Sequence, residues 1–177
     1  TSDNTKMYVS TQKSGIKVEG NQNSLGMFNG CSKLTSLDLS NFDTSNVTNM
    51  GSMFYECDNL VKLDLSNFDT SNVTKMGGIF YNCSSLTSLD VSNFNTSKVT
   101  NISQIFALCK KLISIDVSNF DTSNMAYIDM AFLYCTNLIK LDLSNWDTSK
   151  VIYMGDMFKE CTSLTTIKVG NKFKWIC

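Results

Sequence analysis

LDLSNFDTSNVTNM, Leu37 to Met50, is followed by LDLSNFDTSNVTKM, Leu63 to Met76, and versions of the same stretch begin again at Leu89, Ile115 and Leu141. Around them Cys31, Cys57, Cys83, Cys109, Cys135 and Cys161 each stand 26 residues from the next. A fixed period of roughly 20 to 50 residues marks an array of stacked units, each touching only its neighbours, in place of one central core.

Aligned on cysteine, the unit reads C-x-x-L-x-x-L-D-L-S-N-F-D-T-S-N-V-T-x-M-x-x-M-F-x-x, and its halves carry different periodicities. In the first half Leu37 and Leu39 flank Asp38, and the same in-out-in alternation returns at Leu63/Leu65, Leu89/Val91, Ile115/Val117 and Leu141/Leu143, which predicts a strand. In the second half Val47, Met50, Phe54 and Cys57, with Met53 beside them, fall on one face of a 3.6-residue period, which predicts a short helix. DTSN lies between the halves. Its short oxygen-bearing side chains suit helix N-caps, so Thr44, Ser45 and their equivalents are expected to cap.

One such unit buries too little apolar surface to offset the entropy of ordering its backbone, so stacking must supply the rest. Laid side by side, the strands are expected to form a parallel sheet bonded from unit to unit, with each Leu, Phe and Cys packed on its counterparts. Residues 1–25 break the period and are expected to cap the array, with MYVST and IKVEG forming a hairpin about Gln12–Gly15. The solenoid proper is expected over 26–169, and residues 170–177, GNKFKWIC, abandon the pattern as a truncated edge or cap under Trp175. Thr1 is not an initiator Met and no charged-then-apolar leader follows, so a targeting segment is expected to have been removed or left out, and the compartment must be read elsewhere.

CSKLTSLDLSNF (Cys31–Phe42) resembles a leucine-rich repeat, and LTSLDLSNFDTSNVTNMGSMFYEC (Leu34–Cys57) resembles the 26-residue repeat of BspA-like bacterial surface proteins, over about Met27 to Val169. Common leucine-rich repeats place Asn eight residues after the first Leu, whereas Asn41 follows Leu34 by seven, so a turn different from the usual asparagine ladder is expected. The resemblance implies an α/β, right-handed, curved solenoid, with a parallel β-sheet on one face and short helices on the other. It also implies an extracellular, cell-surface location and binding to a host or matrix protein or to another cell-surface protein.

Composition narrows the function independently. Lys and Arg number 15 against 16 Asp and Glu, a net charge of −1 with no Arg at all, which argues against a nucleic-acid partner. No apolar run approaches the roughly 18 residues of a membrane span, so no membrane insertion by this segment is expected. With no His, no phosphate-cradling glycine loop and every candidate Ser or Asp repeated from unit to unit, no enzyme and no cofactor are expected. The chain is expected to be a monomer.

The candidate partner-binding face is the outward side of the strands: Ser36, Asp38, Lys62, Asp64, Ser88, Asp90, Ser114, Asp116, Lys140 and Asp142. Carboxylates on adjacent strands, ~5 Å apart, repel by about 0.8 kcal/mol in water and roughly 3 kcal/mol at a surface-like dielectric, so the column needs relief. Three readings stand: a solvated face held by Ser, Thr and Lys; part of a protein-binding surface in the concavity of a curved solenoid; or, least suited to single Asp residues in a row, a calcium site. Asp43, Asp69, Asp121 and Asp147, with Asn95, form a second column that a turn role explains. Tyr55, Tyr81, Tyr127 and Tyr153 lie outside the apolar stripe as candidate exposed anchors. The Thr44, Thr70, Thr96, Thr122 and Thr148 column suits caps better than an ice-binding lattice.

The periodic cysteines are expected to be buried free thiols, because equivalent side chains on stacked units point the same way instead of at one another. Without His or a close C-x-x-C, a metal role is not expected. Cys177 lies outside the register and is expected to be the available thiol. Asn46, Asn72 and Asn95 match N-x-[ST] simply because the repeat contains it.

Overall fold

The computed structural model describes residues 5–9 and 16–176. Residues one period apart are immediate neighbours throughout. Phe28, Phe54, Phe80, Phe106, Phe132 and Phe158 form a column of parallel rings whose centroids lie 5.5–5.8 Å apart. A second column of Phe42, Phe68, Phe94, Phe120 and Trp146 is buried beside it, with the leucine, methionine and cysteine columns filling the space between.

Among the described residues seven strands are formed: β1 (Lys6–Tyr8), β2 (Val18–Glu19), β3 (Ser36–Asp38), β4 (Phe42–Asp43), β5 (Lys62–Leu63), β6 (Lys140–Leu143) and β7 (Thr166–Val169). All pairings are parallel, in the order β1-β3-β5, β2-β4 and β6-β7. The alternation read from the sequence places Leu37 and Leu39 inside and Asp38 outside, as it does at the later repeats. The sheet is nevertheless interrupted. Between β5 and β6 the segments at 88–91 and 114–117 keep the same burial but form no backbone ladder, so the expected continuous sheet is not made.

Continuous bonding lies instead on the opposite side, where the sequence predicted helices. There are none among the described residues. In the segment from Met50 to Cys57 the amides of Met50, Ser52, Phe54 and Glu56 donate to the next rung, to the carbonyls of Lys75, Gly77, Ile79 and Tyr81 at 2.8–3.0 Å. The intervening amides of Met53, Tyr55 and Cys57 turn back to Met50, Ser52 and Phe54 at 3.1–3.2 Å, each closing a β-turn. Comparable bonds link each later rung to the next. Asn23, Asn49, Lys75, Asn101, Tyr127 and Tyr153 mark the line along which these bridges run.

The turns require left-handed backbone at two positions in each rung. Ser52, Gln104, Met130 and Asp156 share one column with Gly26 and Gly78; Glu56, Asn82, Leu108, Tyr134 and Glu160 share the other with Gly30, all with φ between 53° and 73°. Residues other than glycine pay about 1–2 kcal/mol for this conformation. The return is pitch: packed helices stand 8–10 Å apart, whereas hydrogen-bonded rungs stand ~4.8 Å apart, so tandem turns let both sides of the coil repeat at one spacing. The buried stripe of Val47, Met50, Met53, Phe54 and Cys57 is as the sequence requires, because successive turns also bring residues three and four apart to one face.

The absence of helices removes the proposed N-caps. Thr44 is instead a link between rungs: its hydroxyl donates to the Asp69 carbonyl at 2.9 Å and accepts from the Asp69 amide at 2.8 Å. Thr70 does the same with Asn95, and Thr122 with Asp147. All five threonines of this column are buried, so they form no lattice at the surface.

The N-terminal hairpin is not formed either. Strands β1 and β2 pair in parallel with β3 and β4, so this segment lies against the first repeat as an irregular rung; the expected turn at Gln12–Gly15 lies outside the described residues. At the other end Phe173 is buried, Trp175 meets both Phe173 and Phe158 edge-on, and the Lys174 amide donates to Thr148. The pattern-breaking terminus thus follows the last rung instead of leaving it. The one-residue shift of the asparagine does not abolish a ladder: Asn67 Nδ2 donates to the carbonyls of Leu39 and Phe42 in the preceding rung, and Asn93 does so to Leu65 and Phe68.

Candidate functional site

The outward strand face is built from two adjoining columns. Ser36 pairs with Lys62, and Lys140 with Thr166, while Asp142 stands beside Lys168. Asp38, Asp64, Asp90, Asp116 and Asp142 are exposed, as are Lys62, Ser88, Ser114 and Lys140. All ten candidate residues therefore belong to one face, although Ser88, Asp90, Ser114 and Asp116 sit where no strand ladder is made.

Relief of the carboxylate column comes chiefly from within each rung. The Ser40 amide donates to Asp38 Oδ1 at 2.9 Å, and Ser66, Ser92, Ser118 and Ser144 do the same for the later aspartates. These serine amides and hydroxyls hold Asp38, Asp64, Asp90 and Asp116 below the usual carboxylate range, against a smaller opposing push from burial. Asp142 is held lowest, at about 2, by Ser144 first and then by Lys168, whose ammonium lies 3.0 Å away. Of the two Ser144 groups the amide makes the well-formed bond, since the buried hydroxyl meets no partner in bonding geometry. Lys62 and Lys140 make no ion pair among the described residues, so the lysines on the same strands are not what relieves the column.

Beside the charges runs an apolar edge that the sequence reading missed. Val61, Ile113 and Ile139 are 43%, 51% and 43% exposed, in the column just before Ser36, Lys62 and Lys140. Between Asp116 and Lys168 the face sinks into a depression of about 500 Å³ floored by Ile115 and Leu141. The signal was present as a β-branched residue recurring one place after the repeat's first leucine position, at Val61, Ile113 and Ile139.

The second acidic column serves turns. Asp43, Asp69, Asp121 and Asp147 each accept the amide of the serine two residues on at 2.9–3.0 Å, with Asn95 in the same role. Among the described residues no three Asp, Glu or Cys side chains converge as metal ligands.

The four tyrosines divide between two columns. Tyr55 and Tyr81 stack at 4.3 Å and are half-buried, whereas Tyr127 and Tyr153 stack at 5.5 Å and are 40% and 58% exposed. Only the second pair has the exposure of surface anchors.

The family model described as "Mycoplasma protein of unknown function, DUF285" matches residues 22–115 and again 86–174. The chain belongs to the DUF285 family. Two matches along one chain are what a tandem array produces. No curated protein matches the sequence. Among solved structures, the crystal structure of the T. pallidum leucine-rich repeat protein TpLRR is similar, with a TM-score of 0.58 at 18% identity, over 93% of this chain and 69% of that one. At that identity the likeness shows the fold: a leucine-rich-repeat solenoid with parallel strands, which in this DUF285 chain carries tandem turns on its second side.

Proposed function

We propose that the array is a non-enzymatic protein-recognition module of a cell surface, similar in role to the BspA-like repeats, and that it adheres to a host or matrix protein as a monomer. The observation that carries this reading is the strand face, where a row of carboxylates kept charged by local amides runs beside the exposed edge of Val61, Ile113 and Ile139. Apolar anchors rimmed by fixed charge are the usual composition of a protein-binding surface. Buried thiols are compatible with an oxidising exterior, because oxidation requires access and thiolate character that burial denies. No cofactor enters this reading.

The test is capture of extracellular matrix proteins by the immobilised array. An adhesin binds saturably and loses its catch when Asp90→Lys and Asp116→Lys reverse the face; binding that survives the reversal contradicts the strand-face assignment. The rival is a spacer, favoured by the unbroken rung-to-rung bonding on the turn side, which makes a stiff element. A spacer captures nothing saturably.

A further inference from the structure

The turn side carries a groove that the reading above does not use. It runs across successive rungs, occupies about 400 Å³, and is lined by Gly51, Lys75, Gly77, Thr100, Asn101 and Tyr127 among others. Its trough exists because Gly51 and Gly77 take the place that Leu25 fills in the first rung and Ser103 in a later one. Neither glycine has a positive φ, so here a turn's demand is not the reason for glycine.

The walls are polar and partly uncommitted. Asn101 Oδ1 accepts the Ser103 amide at 2.8 Å and Asn49 Oδ1 accepts the Gly51 amide at 3.0 Å, which fixes both side chains and leaves their Nδ2 donors without a protein partner among the described residues. The Lys75 ammonium, exposed, likewise makes no ion pair or hydrogen bond among them. Tyr127 ends the groove. Its ring lies parallel to Tyr153, at 9°, one rung further on, so one face is covered and the other is turned toward the rung of Asn101.

An extended peptide has little to pair with here. The backbone on this side is already consumed, with Met50, Ser52, Met76 and Gly78 donating to the next rung and the Lys75, Gly77 and Asn101 carbonyls accepting. Recognition must come from side chains that differ from rung to rung: the amide of Asn49, the cation of Lys75, the amide of Asn101 with the hydroxyl of Thr100, and the flat aromatic face of Tyr127. The rung spacing of ~4.8 Å is comparable to the length of one pyranose unit in a glycan chain. Hydroxyls would meet the amides, the C–H face of one ring would lie on Tyr127, and a carboxylate would meet Lys75.

From this we infer that the groove from Lys75 to Tyr127 binds an acidic oligosaccharide, such as a uronic-acid polymer, independently of the strand face. The experiment titrates the whole chain with an oligouronate of a few residues, a neutral oligosaccharide of equal length and an acidic peptide of equal charge. Saturable binding of the oligouronate is expected, with the neutral chain weaker. Lys75→Gln and Tyr127→Ala should each weaken it roughly tenfold, as loss of a buried anchor does. Gly77→Leu, which copies the residue at position 25, brings its Cβ to 3.1 Å from Asn101 Oδ1, so it should push that amide aside, fill the trough and abolish binding, with cooperative unfolding retained as the sign that the rungs still stack. Asp90→Lys with Asp116→Lys should leave oligouronate binding unchanged, which separates this inference from the strand-face reading. No saturable binding, binding that persists in Gly77→Leu, or preference for the acidic peptide would each overturn it.

Discussion

The Cys109 thiol donates to the carbonyl of Phe80, 29 residues earlier and in the preceding rung, at 3.2 Å. Cys57, Cys83, Cys135 and Cys161 repeat the contact with Phe28, Phe54, Phe106 and Phe132. The periodic cysteines are thus small apolar fillers that also tie one rung to the last.

That arrangement sets their reactivity. Burial pushes Cys57 up to about 12 and holds Cys83, Cys109 and Cys135 well above the usual thiol range. Cys31 and Cys161 are half-buried. Alkylation of the native protein followed by mass mapping should label these two ahead of the interior four, which should react only on unfolding. Equal labelling of Cys109 and Cys31 would contradict the ladder. Cys177, expected from the sequence to be available, lies outside the described residues.

The threonine column should be a stability determinant. Thr70→Val keeps the shape but strips both bonds to Asn95, and leaving that partly buried backbone unsatisfied should cost roughly 1–3 kcal/mol in denaturant unfolding. Thr70→Ser retains the hydroxyl and should recover most of the loss. A valine variant as stable as the parent would show that these bonds are replaced by water.

Gly78 separates turns from helix by sign. Its φ is 62°, and an added Cβ would meet nothing closer than 3.5 Å, so Gly78→Ala probes the backbone alone. In a helix alanine would stabilise by about 1 kcal/mol. In this turn it should destabilise by about 1–2 kcal/mol, read from the denaturant midpoint.

Acid should loosen the array in a defined window. Both aspartate columns are lowered from an ordinary value of 3.8, Asp142 to about 2, by bonds formed only in the folded chain. The unfolded chain therefore binds protons first as pH falls, so this stabilisation is complete above about pH 4 and is lost between there and about pH 2. Thermal midpoints measured across that window should decline with falling pH. A midpoint that rises instead would mean that repulsion along the column outweighs its serine bonds.

What the sequence conveyed well was anything carried by the period. The 26-residue register, the inward Leu37 and Leu39, the outward Asp38 and the buried thiols all follow from repetition and alternation. The turn side was misread because apolar spacing reports which residues are buried, and tandem turns bury the same ones as a helix. Gly26, Gly30 and Gly78, at positions where a helix would disfavour glycine, were the available clue. The hairpin failed for a different reason: Lys6 finds its partner at Ser36, 30 residues on, outside the register that every other rung keeps. Of the candidate face, the charged columns were legible, but the flanking Val61, Ile113 and Ile139 were not, because threonine interrupts them at positions 87 and 165.

The solenoid is held together by rungs joined through their turns. Through-hydrogen-bond scalar coupling between the Phe54 amide nitrogen and a carbonyl carbon reports its acceptor directly. Coupling to Ile79, 25 residues ahead, is predicted; coupling to Met50, four residues back, would mean a helix and would contradict it.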